Sequence, residues 1–395
     1  MKFVICVGDG MADEPIAELN GLTPLEYAST PNMDRVATRG RVGMVQTVPD
    51  GLPPGSDVAN MSLLGYDAKL YYQGRAPIEA ASMGIRLMPD DTAFRCNLVT
   101  LSGAIMDDYS AGHIETADAH ELVKDLQSAL GDKRTRLYPG VSYRHCLVIS
   151  GMTEGPLSCT PPHDISGRPW KDHLPRGTGS EELLSLMDRA RVALANSATN
   201  KRRIAAGKKP ATDIWLWGQG HAIRLPTMKE RFGLSGSVIS AVDLVQGLGV
   251  LAGLTVRKVD GATGYLGTNY AGKVSAALRA LSEEDFVFIH VEAPDETSHE
   301  GSLKKKIQAI EEFDRHIVGE LLKAAENHKD LRLLVLPDHA TPLSLKTHCA
   351  SPVPFAVCGP GITPDNASTY NEKAAAGISP MTAEKLFETF ITGVM

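Results

Sequence analysis

The sequence predicts an α/β fold, in which a mostly parallel sheet is sandwiched by helices and a smaller α+β domain is inserted. Three observations support this: apolar runs that end in acidic residues and histidines, a helical segment between two such runs, and a middle region of different character. The length of 395 residues is too great for one ordinary core. We therefore expect a core domain of residues 1–88 and 226–395, and an inserted domain of residues 89–225.

Three apolar runs are predicted to be strands that deliver polar residues at their carboxyl ends. KFVICV is followed by Asp9, FVFIHV by Asp295 and His299, and LRLLVL by Asp338 and His339. The carboxyl ends of the strands are where α/β sheets place their chemistry. We therefore expect the functional site at this edge of the sheet.

The segment between the last two runs is predicted to be one amphipathic helix. Its apolar residues recur at helical spacing over about five or six turns of SLKKKIQAIEEFDRHIVGELLKAAENH. A strand, a helix and a strand in succession favour parallel strands. The middle region instead combines the short runs FRCNLVTL, HCLVIS and DIWLWG with the helix AHELVKDLQSAL and loops rich in Pro and Gly. This pattern favours an inserted α+β domain, with linkers near 86–92 and 222–234.

Composition and charge exclude several classes of function. The 40 Lys and Arg against 47 Asp and Glu give a net charge of −7, so no global basic field favours nucleic acid or an anionic membrane. The six cysteines lack C-x-x-C spacing and no signal peptide or membrane span is evident, so we expect a soluble, cytoplasmic protein with reduced thiols. No G-x-x-x-x-G-K-[ST] motif supports a nucleotide-dependent kinase. A small-molecule partner is expected, and the oligomeric state stays open.

The acids and histidines after the predicted strands form a candidate metal site. Asp295 and His299 lie four residues apart, so in a helix both side chains face the same way. The other candidate ligands are Asp9, Asp338, His339 and His348. Singly, Asp295 could be a helix cap and each histidine a structural or solvated residue. Together, these oxygen and nitrogen ligands suffice for two cations that share one site.

Ser56 is the candidate nucleophile. It follows Pro53-Pro54-Gly55 and precedes an apolar run, which places its hydroxyl at or near a helix N-terminus. Alone, this position is explained as well by an N-cap that contributes about 1 kcal/mol to stability. A free serine hydroxyl is a poor nucleophile at neutral pH, but a divalent metal would stabilise its alkoxide. The metal site would activate the serine, and the serine would give the metal site a nucleophile, so each hypothesis supports the other.

Five motifs resemble, in the same order, those of the alkaline-phosphatase superfamily: GDG with Asp9, PGSDVAN with Ser56, APDETSHEG, LPDHATP and THCASPVPF. More closely, the chain resembles the cofactor-independent (2,3-bisphosphoglycerate-independent) phosphoglycerate mutases of the shorter, archaeal type. The segments SLLGYD, GKKPATDIWLWGQG and GATGYLGTNYAGK extend this likeness over nearly the whole chain. The resemblance implies an alkaline-phosphatase-like core with an inserted lid domain. The longer bacterial relatives have a histidine where this chain has Asn60, so a role for an imidazole there is not carried over.

The resemblance also implies a role for each motif residue. One divalent metal ion would be bound by Asp9, Ser56, Asp338 and His339, and a second by Asp295, His299 and His348. Mn²⁺ suits this mixed ligation, with Zn²⁺ or Mg²⁺ as alternatives. The implied activity is the interconversion of 3-phosphoglycerate and 2-phosphoglycerate in glycolysis and gluconeogenesis, through a phosphoserine intermediate. A phosphosugar mutase or a metal-dependent phosphatase that uses the same site is the alternative, and the complete ligand set argues against a catalytically silent scaffold.

A mutase must retain the glycerate and exclude water between two phosphoryl transfers, so the inserted domain is predicted to be a lid. Asp164, in a loop rich in Pro and Gly, is the candidate proton shuttle between the glycerate hydroxyls. Several residues of the chain, most of them basic, are candidates for binding the carboxylate and phosphate of the substrate, although each basic residue is also explained as an ordinary surface charge. The candidates for binding the substrate are His113, Arg144, His163, Arg168, Arg202, Arg203 and Lys273.

Overall fold

The structure is a computed structural model that describes residues 1–153, 155–327 and 330–394. Its strands, in chain order, are β1 (Lys2–Gly8), β2 (Gly40–Gln46), β3 (Asp91–Ser102), β4 (Ile105–Asp108), β5 (Thr135–Tyr138), β6 (Arg144–Ser150), β7 (Leu157–Ser158), β8 (Arg176–Gly177), β9 (Asp213–His221), β10 (Gly236–Ile239), β11 (Thr255–Val256), β12 (Phe286–Val291), β13 (Leu331–Leu336), β14 (Val353–Cys358) and β15 (Met381–Thr382).

Its α-helices are α1 (Pro24–Tyr27), α2 (Pro31–Thr38), α3 (Ser56–Leu63), α4 (Ala68–Tyr71), α5 (Arg75–Ser82), α6 (Thr116–Leu130), α7 (Ser180–Asn196), α8 (Ala198–Ala205), α9 (Met228–Phe232), α10 (Asp243–Leu251), α11 (Tyr270–Glu283), α12 (Ala293–His299), α13 (Leu303–Phe313), α14 (Gly319–Asn327) and α15 (Ala383–Thr392). Short 3₁₀ helices span Ala17–Leu19, Pro162–Ile165 and Lys171–His173, and a π-helical segment spans Asp314–Val318.

The chain divides into two compact units. The first consists of Met1–Tyr72 and Arg224–Met395, and the second of Gln73–Ile223. The first division therefore lies at 72/73 and not after residue 88, because α5 packs on β3 and β9 of the second unit. The return crossing lies at 223/224, close to the expected 225/226. The role of the second unit as a lid stays a prediction.

The sheet of the first unit is mostly parallel, which confirms the predicted fold class. Its strands follow the order β11-β10-β12-β1-β13-β14-β2-β15. β1 pairs in parallel with β12 and β13, whereas β14 runs antiparallel to both of its neighbours, β13 and β2. Every residue of β12 and β13 is buried. Their continuous apolar sequences are typical of parallel strands that are covered on both faces.

The helix predicted between β12 and β13 forms three consecutive segments, which are α13, the π-helical segment and α14. The apolar positions of all three lie in the core of the first unit, among them Ile310, Phe313, Ile317 and Leu321. In the π-helical segment, Asp314 Oδ1 accepts hydrogen bonds from the backbone amides of Asn32 and Met33, at 3.1 and 2.7 Å. These amides belong to the first turn of α2, where no helical carbonyl is available to them. His328, the last residue of the predicted helix, lies outside the described residues.

The second unit is an α+β fold with its own core. β4, β3, β6 and β5 lie side by side, β9 pairs with the other edge of β3, and each of these pairings is antiparallel. Helices α6 and α7 pack on each other, and α7 also packs on β9. The core residues include Leu122, Leu147, Leu186 and Trp215.

None of the described helices combines the length and the apolar character that a membrane crossing would need. The longest apolar stretch of the sequence, residues 238–256, instead contributes to β10, α10 and β11. The cysteines at positions 6, 96, 146, 159, 349 and 358 are free thiols, as predicted.

Candidate active site

Three carboxylates meet at one edge of the parallel sheet. Asp9 follows β1, Asp338 follows β13, and Asp295 lies on α12, which begins just after β12. Since β12 and β13 flank β1 in parallel, the carboxyl ends of the three strands are neighbours. The exposed fractions of Asp9, Asp295 and Asp338 are only 1%, 5% and 0%. The topology therefore gathers three buried acids, which need a cation or proton to offset their charge.

Asp9, Asp338 and His339 form the first candidate metal group. One possible ligand atom of each lies within 4.8 Å of the others. His339 Nε2 is 3.4 Å from Asp9 Oδ1 and 3.6 Å from Asp338 Oδ2. The Gly10 amide donates to Asp338 Oδ1 at 3.2 Å, and Asn60 Nδ2 donates to Asp338 Oδ2 at 2.7 Å. These two hydrogen bonds orient the Asp338 carboxylate.

Asp295, His299 and His348 form the second candidate metal group, again within 4.8 Å of one another. Helix α12 places His299 Nε2 3.0 Å from Asp295 Oδ2, as the spacing of four residues predicts. His348 Nε2 lies 3.4 Å from Asp295 Oδ1 and 3.0 Å from His299 Nε2. His299 Nδ1 donates to the carbonyl of Lys346 at 2.9 Å, so Nε2 is the ring nitrogen that faces Asp295 and His348.

Ser56 reaches the first metal group from a distant part of the sequence. Its Oγ lies 3.1 Å from His339 Nε2. Ser56 is the first residue of α3, and the cap position is occupied by Gly55, so the alternative that Ser56 is merely an N-cap is wrong. The Ser56 carbonyl accepts a hydrogen bond from Asn60 Nδ2 at 2.8 Å. Asn60, the residue that departs from the bacterial pattern, thus joins Ser56 to the Asp338 carboxylate.

Burial and neighbouring charges set the protonation of the acids. Burial, together with the negative charges of Asp338 and Asp295, raises the pKa of Asp9 well above its usual value. Burial would also raise the pKa of Asp295, but hydrogen bonds with His299 and His348 hold that pKa well below the usual value. The Asp295 carboxylate in turn raises the pKa of His299 to about 9. The three acids therefore carry more negative charge than the neighbouring histidines neutralise.

The donor set fits two divalent cations. Among the described residues, Asp9 Oδ1 is buried and lacks a hydrogen-bond partner, whereas buried polar atoms are normally paired. The Nε2 atoms of His299 and His348 lie 3.0 Å from each other, and both face the Asp295 carboxylate, at 3.0 and 3.4 Å. Carboxylate, imidazole and hydroxyl donors together suit divalent transition ions.

Three further buried residues, which the motifs did not single out, contact this site. His290 Nε2 lies 3.1 Å from Asp9 Oδ2, and burial lowers the pKa of His290 to about 4. The Lys306 ammonium is fully buried below the loops that carry the ligands, and Thr341 Oγ1 contacts Asp295 Oδ1 at 2.5 Å. A histidine inside the apolar run of β12 was a detectable signal. Lys306 stands in a KKK triplet and resembles a surface lysine.

Lys273, on α11, lies beside His290. Its Nζ donates to the His290 carbonyl at 2.8 Å. Burial lowers the pKa of Lys273 to about 8, and the negative charge of Glu292 opposes this effect. Lys273 is 1% exposed, and its role in binding an anionic substrate stays a prediction.

The second unit brings three of the predicted substrate-binding residues together. The rings of His113 and His163 lie 6.5 and 6.2 Å from the Tyr109 ring. Arg144 lies over the ring of Tyr143, which is itself 5.7 Å from the Tyr109 ring. These five residues, named the Tyr109 cluster below, place two imidazoles and one guanidinium on a shared aromatic surface.

Two arginines that no sequence motif singled out adjoin this cluster. His163 packs against the Trp217 ring at 5.2 Å, and the guanidinium groups of Arg95 and Arg75 lie 4.2 and 5.9 Å from the same ring. Both arginines pair with one carboxylate, Glu79, at 2.8 and 2.9 Å. Burial lowers the pKa of Arg95 to about 10, which Glu79 partly offsets. Two guanidinium groups therefore share the Glu79 carboxylate beside the Trp217 ring.

Arg203, also predicted to bind substrate, is buried and fully hydrogen-bonded, and its role in binding stays a prediction. Its side chain is only 2% exposed. Its guanidinium donates to the carboxylates of Glu115 and Asp118 and to the carbonyls of Ala111 and Lys209. A guanidinium has five N–H groups, and these contacts use all of them.

The remaining candidates of the second unit are exposed. Arg202 donates to Thr199 Oγ1 on its own helix at 3.0 Å. Asp164 Oδ1 lies 3.6 Å from His163 Nε2, and Arg168 follows on the same loop. Their roles stay predictions.

Comparison with known proteins identifies the family. A family model described as 2,3-bisphosphoglycerate-independent phosphoglycerate mutase matches residues 37–200. The 2,3-bisphosphoglycerate-independent phosphoglycerate mutase of Methanosarcina acetivorans is 52% identical over 376 residues, which cover 95% of both chains. The chain belongs to the family of 2,3-bisphosphoglycerate-independent phosphoglycerate mutases. The resemblance predicted from the motifs is therefore confirmed.

Solved structures place the fold in the same family. The PH0037 protein from Pyrococcus horikoshii superposes with a TM-score of 0.82 at 29% identity, over 100% of this chain and 98% of that chain. The cofactor-independent phosphoglycerate mutase from Thermoplasma acidophilum superposes with a TM-score of 0.67 at 27% identity, over 99% of both chains. This family of phosphoglycerate mutases is metal-dependent, which agrees with the two ligand groups found here.

Proposed function

We propose that this chain interconverts 3-phosphoglycerate and 2-phosphoglycerate in glycolysis and gluconeogenesis, with Ser56 as the nucleophile. The observation that carries the proposal is the position of Ser56 Oγ, 3.1 Å from His339 Nε2 and at the edge of two groups of buried metal ligands. A hydroxyl in the first turn of a helix, next to a cluster of cation ligands, is suited to attack an anionic phosphoryl group.

The reaction consists of two phosphoryl transfers, which together leave the serine hydroxyl as it was at the start. In the first, a bond forms between Ser56 Oγ and the phosphorus of 3-phosphoglycerate, and the bond from phosphorus to the C3 oxygen breaks. The serine hydroxyl gives up a proton, and the C3 oxygen gains one. In the second, the C2 hydroxyl loses its proton and attacks the phosphoserine, and Ser56 Oγ leaves and regains a proton. Asp164 is proposed to move the proton between the C2 and C3 oxygens.

Divalent cations are proposed to occupy both groups, one held by Asp9, Ser56, Asp338 and His339, and the other by Asp295, His299 and His348. When bound, such ions lower the pKa of a neighbouring hydroxyl and neutralise the phosphate dianion. Mixed carboxylate and imidazole ligation favours Mn²⁺, with Zn²⁺ and Mg²⁺ as alternatives. His290 and Asn60 orient Asp9 and Asp338 for this role.

The second unit is proposed to grip the substrate and to exclude water as a lid. The Tyr109 cluster supports this role because it exposes cationic and aromatic groups together, and Arg168 and Arg202 are exposed cations of the same unit. Lys273 is proposed to bind an anionic group of the substrate from the first unit. The partner is a small phosphoester, with no nucleic acid and no membrane involved, and the location is proposed to be cytoplasmic.

The experiment is a coupled assay of 2-phosphoglycerate formed from 3-phosphoglycerate with added Mn²⁺. We expect turnover by the wild type, no turnover by Ser56→Ala, and a phosphoenzyme by mass spectrometry that the variant lacks. Ser62→Ala is the matched control, because Ser62 lies on the same helix and donates only to the Val58 carbonyl. Turnover by Ser56→Ala, or turnover unaffected by a strong chelator, would refute the proposal.

Two alternative activities would use the same site, and the same assay distinguishes them from the proposed mutase. A phosphosugar mutase would turn over sugar phosphates in preference to 3-phosphoglycerate. A phosphatase would release inorganic phosphate at the rate at which substrate disappears. Formation of 2-phosphoglycerate without equivalent phosphate release distinguishes the proposed mutase from both.

A further inference from the structure

Thr341 lies between the two groups of metal ligands. It belongs to the loop after β13, and its side chain is fully buried. Its Oγ1 lies 2.5 Å from Asp295 Oδ1 and 3.1 Å from His339 Nδ1. Asp295 belongs to one group and His339 to the other. A single hydroxyl therefore contacts one ligand of each proposed cation site.

The hydrogen bonds of Thr341 can be assigned from the number of its protons. A hydroxyl has one hydrogen to donate, and an ionised carboxylate can only accept, so Thr341 donates to Asp295 Oδ1. With this hydrogen used, Thr341 Oγ1 must accept, and His339 Nδ1 carries the proton that it accepts. The neutral imidazole then has a free lone pair on Nε2. That nitrogen faces Ser56, Asp9 and Asp338.

The surrounding backbone holds Thr341 in this position. Its amide donates to the Ala12 carbonyl at 3.2 Å, and its carbonyl accepts from Lys306 Nζ at 2.9 Å. Gly10 leaves the necessary space, because a Cβ there would lie 2.6 Å from Asp295 Oδ1 and 2.7 Å from Thr341 Oγ1. Gly10 also has a φ of +63°, which disfavours any side chain. The backbone contacts of Thr341 and the close approach of Gly10 therefore hold the hydroxyl in place.

We propose that Thr341 is a positioning residue that couples the two cation sites. Its hydroxyl fixes the tautomer of His339 and the orientation of Asp295 at the same time. This inference rests on the two-cation site of the proposed function. It implies that loss of one hydroxyl weakens both sites although all ligands are kept. Losing such a supporting hydrogen bond typically lowers metal affinity about 10- to 100-fold.

The test compares Thr341→Val, which keeps the shape and removes the hydroxyl, with Thr341→Ser, which keeps the hydroxyl. Each metal-free protein is titrated with Mn²⁺, and free Mn²⁺ is counted by electron paramagnetic resonance. We expect two sites in the wild type, both about 10- to 100-fold weaker in Thr341→Val and within about threefold of wild type in Thr341→Ser. Turnover of Thr341→Val should return toward the wild-type value at saturating Mn²⁺. His299→Ala is the contrasting control, since it removes a ligand of one site only.

The outcomes separate this inference from the function on which it rests. A wild type that binds fewer than two ions overturns both. Thr341→Val with wild-type affinity at either site overturns the coupling alone. Circular dichroism of the metal-free variants shows whether the fold is kept. Independently of any variant, ¹⁵N chemical shifts of His339 in the metal-free wild type should show a proton on Nδ1, and a proton on Nε2 instead would refute the assignment.

Discussion

His145, on β6, is a buried histidine that its surroundings keep neutral. Burial lowers its pKa to about 3, and its Nδ1 accepts a hydrogen bond from the Gly140 amide at 2.9 Å. The folded-state pKa lies below that of the unfolded chain, which is about 6.5. Above pH 6.5 both states are neutral and the effect is absent. As the pH falls below 6.5, the unfolded chain gains a proton that the folded chain does not, and stability decreases.

We therefore predict that His145 makes the protein acid-sensitive. Between pH 7.5 and pH 5 the wild type should lose about 2 kcal/mol of unfolding free energy more than His145→Gln, in which no imidazole titrates. Urea denaturation of both proteins at the two pH values, without metal, measures this difference. Losses of equal size in the two proteins would contradict the prediction. Other titrating groups are common to both proteins and cancel.

Single residues also show how far the site could be predicted. Asp295 and His299 were found because a spacing of four residues has one meaning on a helix, and the structure has that helix. Thr341 was not found, because a threonine in a loop has no pattern that tells which side chains it will meet. The acids that pair with Arg203 could not be predicted either, because they are 88 and 85 residues away in the sequence.

At the level of elements, α13 links the loops that carry the proposed metal ligands. Lys306, from the first turns of this helix, donates to Asp13 Oδ2 at 2.8 Å and to the carbonyls of Ala12 and Thr341 at 3.3 and 2.9 Å. One loop follows β1 and the other follows β13. The buried ammonium thus holds two strand ends against one helix.

Replacement of Lys306 by Met should be strongly destabilising. The change keeps the volume but leaves the Asp13 carboxylate, 1% exposed, without its cation, which typically costs about 3–5 kcal/mol. The double variant Lys306→Met with Asp13→Asn should recover most of this loss, because no buried charge is then left unpaired. Urea denaturation of the metal-free proteins is the measurement. A loss below about 1 kcal/mol in the single variant would show that the ion pair is not what stabilises these loops.

Element prediction was best where burial is uniform. β1, β12 and β13 were recognised because parallel strands covered on both faces need continuous apolar runs. The long helix before β13 was found as one amphipathic segment, but its π-helical turn was not. In that turn Asp314 accepts from the first amides of α2, about 280 residues away in the sequence, and no local pattern indicates such a contact.

At the scale of the whole molecule, the proposed metal ligands all belong to the first unit. The second unit has its own sheet and its own core. Mn²⁺ at 100 times its dissociation constant should stabilise the first unit by about 2.7 kcal/mol per site. Hydrogen exchange with and without Mn²⁺ should therefore show added protection in β1, β12 and β13, and little in β3 and β6. This prediction assumes that the two units unfold independently. Equal added protection in both sheets would contradict it.

The domain boundary shows what remained unpredictable at this scale. The sequence predicted the insertion itself, because the character of the chain changes near residue 90. It did not predict that α5 belongs to the second unit. The apolar face of a helix indicates that the helix is packed, but it does not indicate which sheet the helix covers. The boundary in the structure therefore lies at 72/73 and not at the predicted position.

The central strand β1 is synthesised long before either of its partners in the sheet. Both of its neighbours, β12 and β13, are about 280 residues or more further along the chain. A ribosome therefore releases an apolar strand with two open edges long before its partners exist, whereas the second unit is finished in the meantime. Nascent chains of this protein should depend on chaperones until synthesis is nearly over, and early truncation should yield aggregates instead of a smaller folded protein.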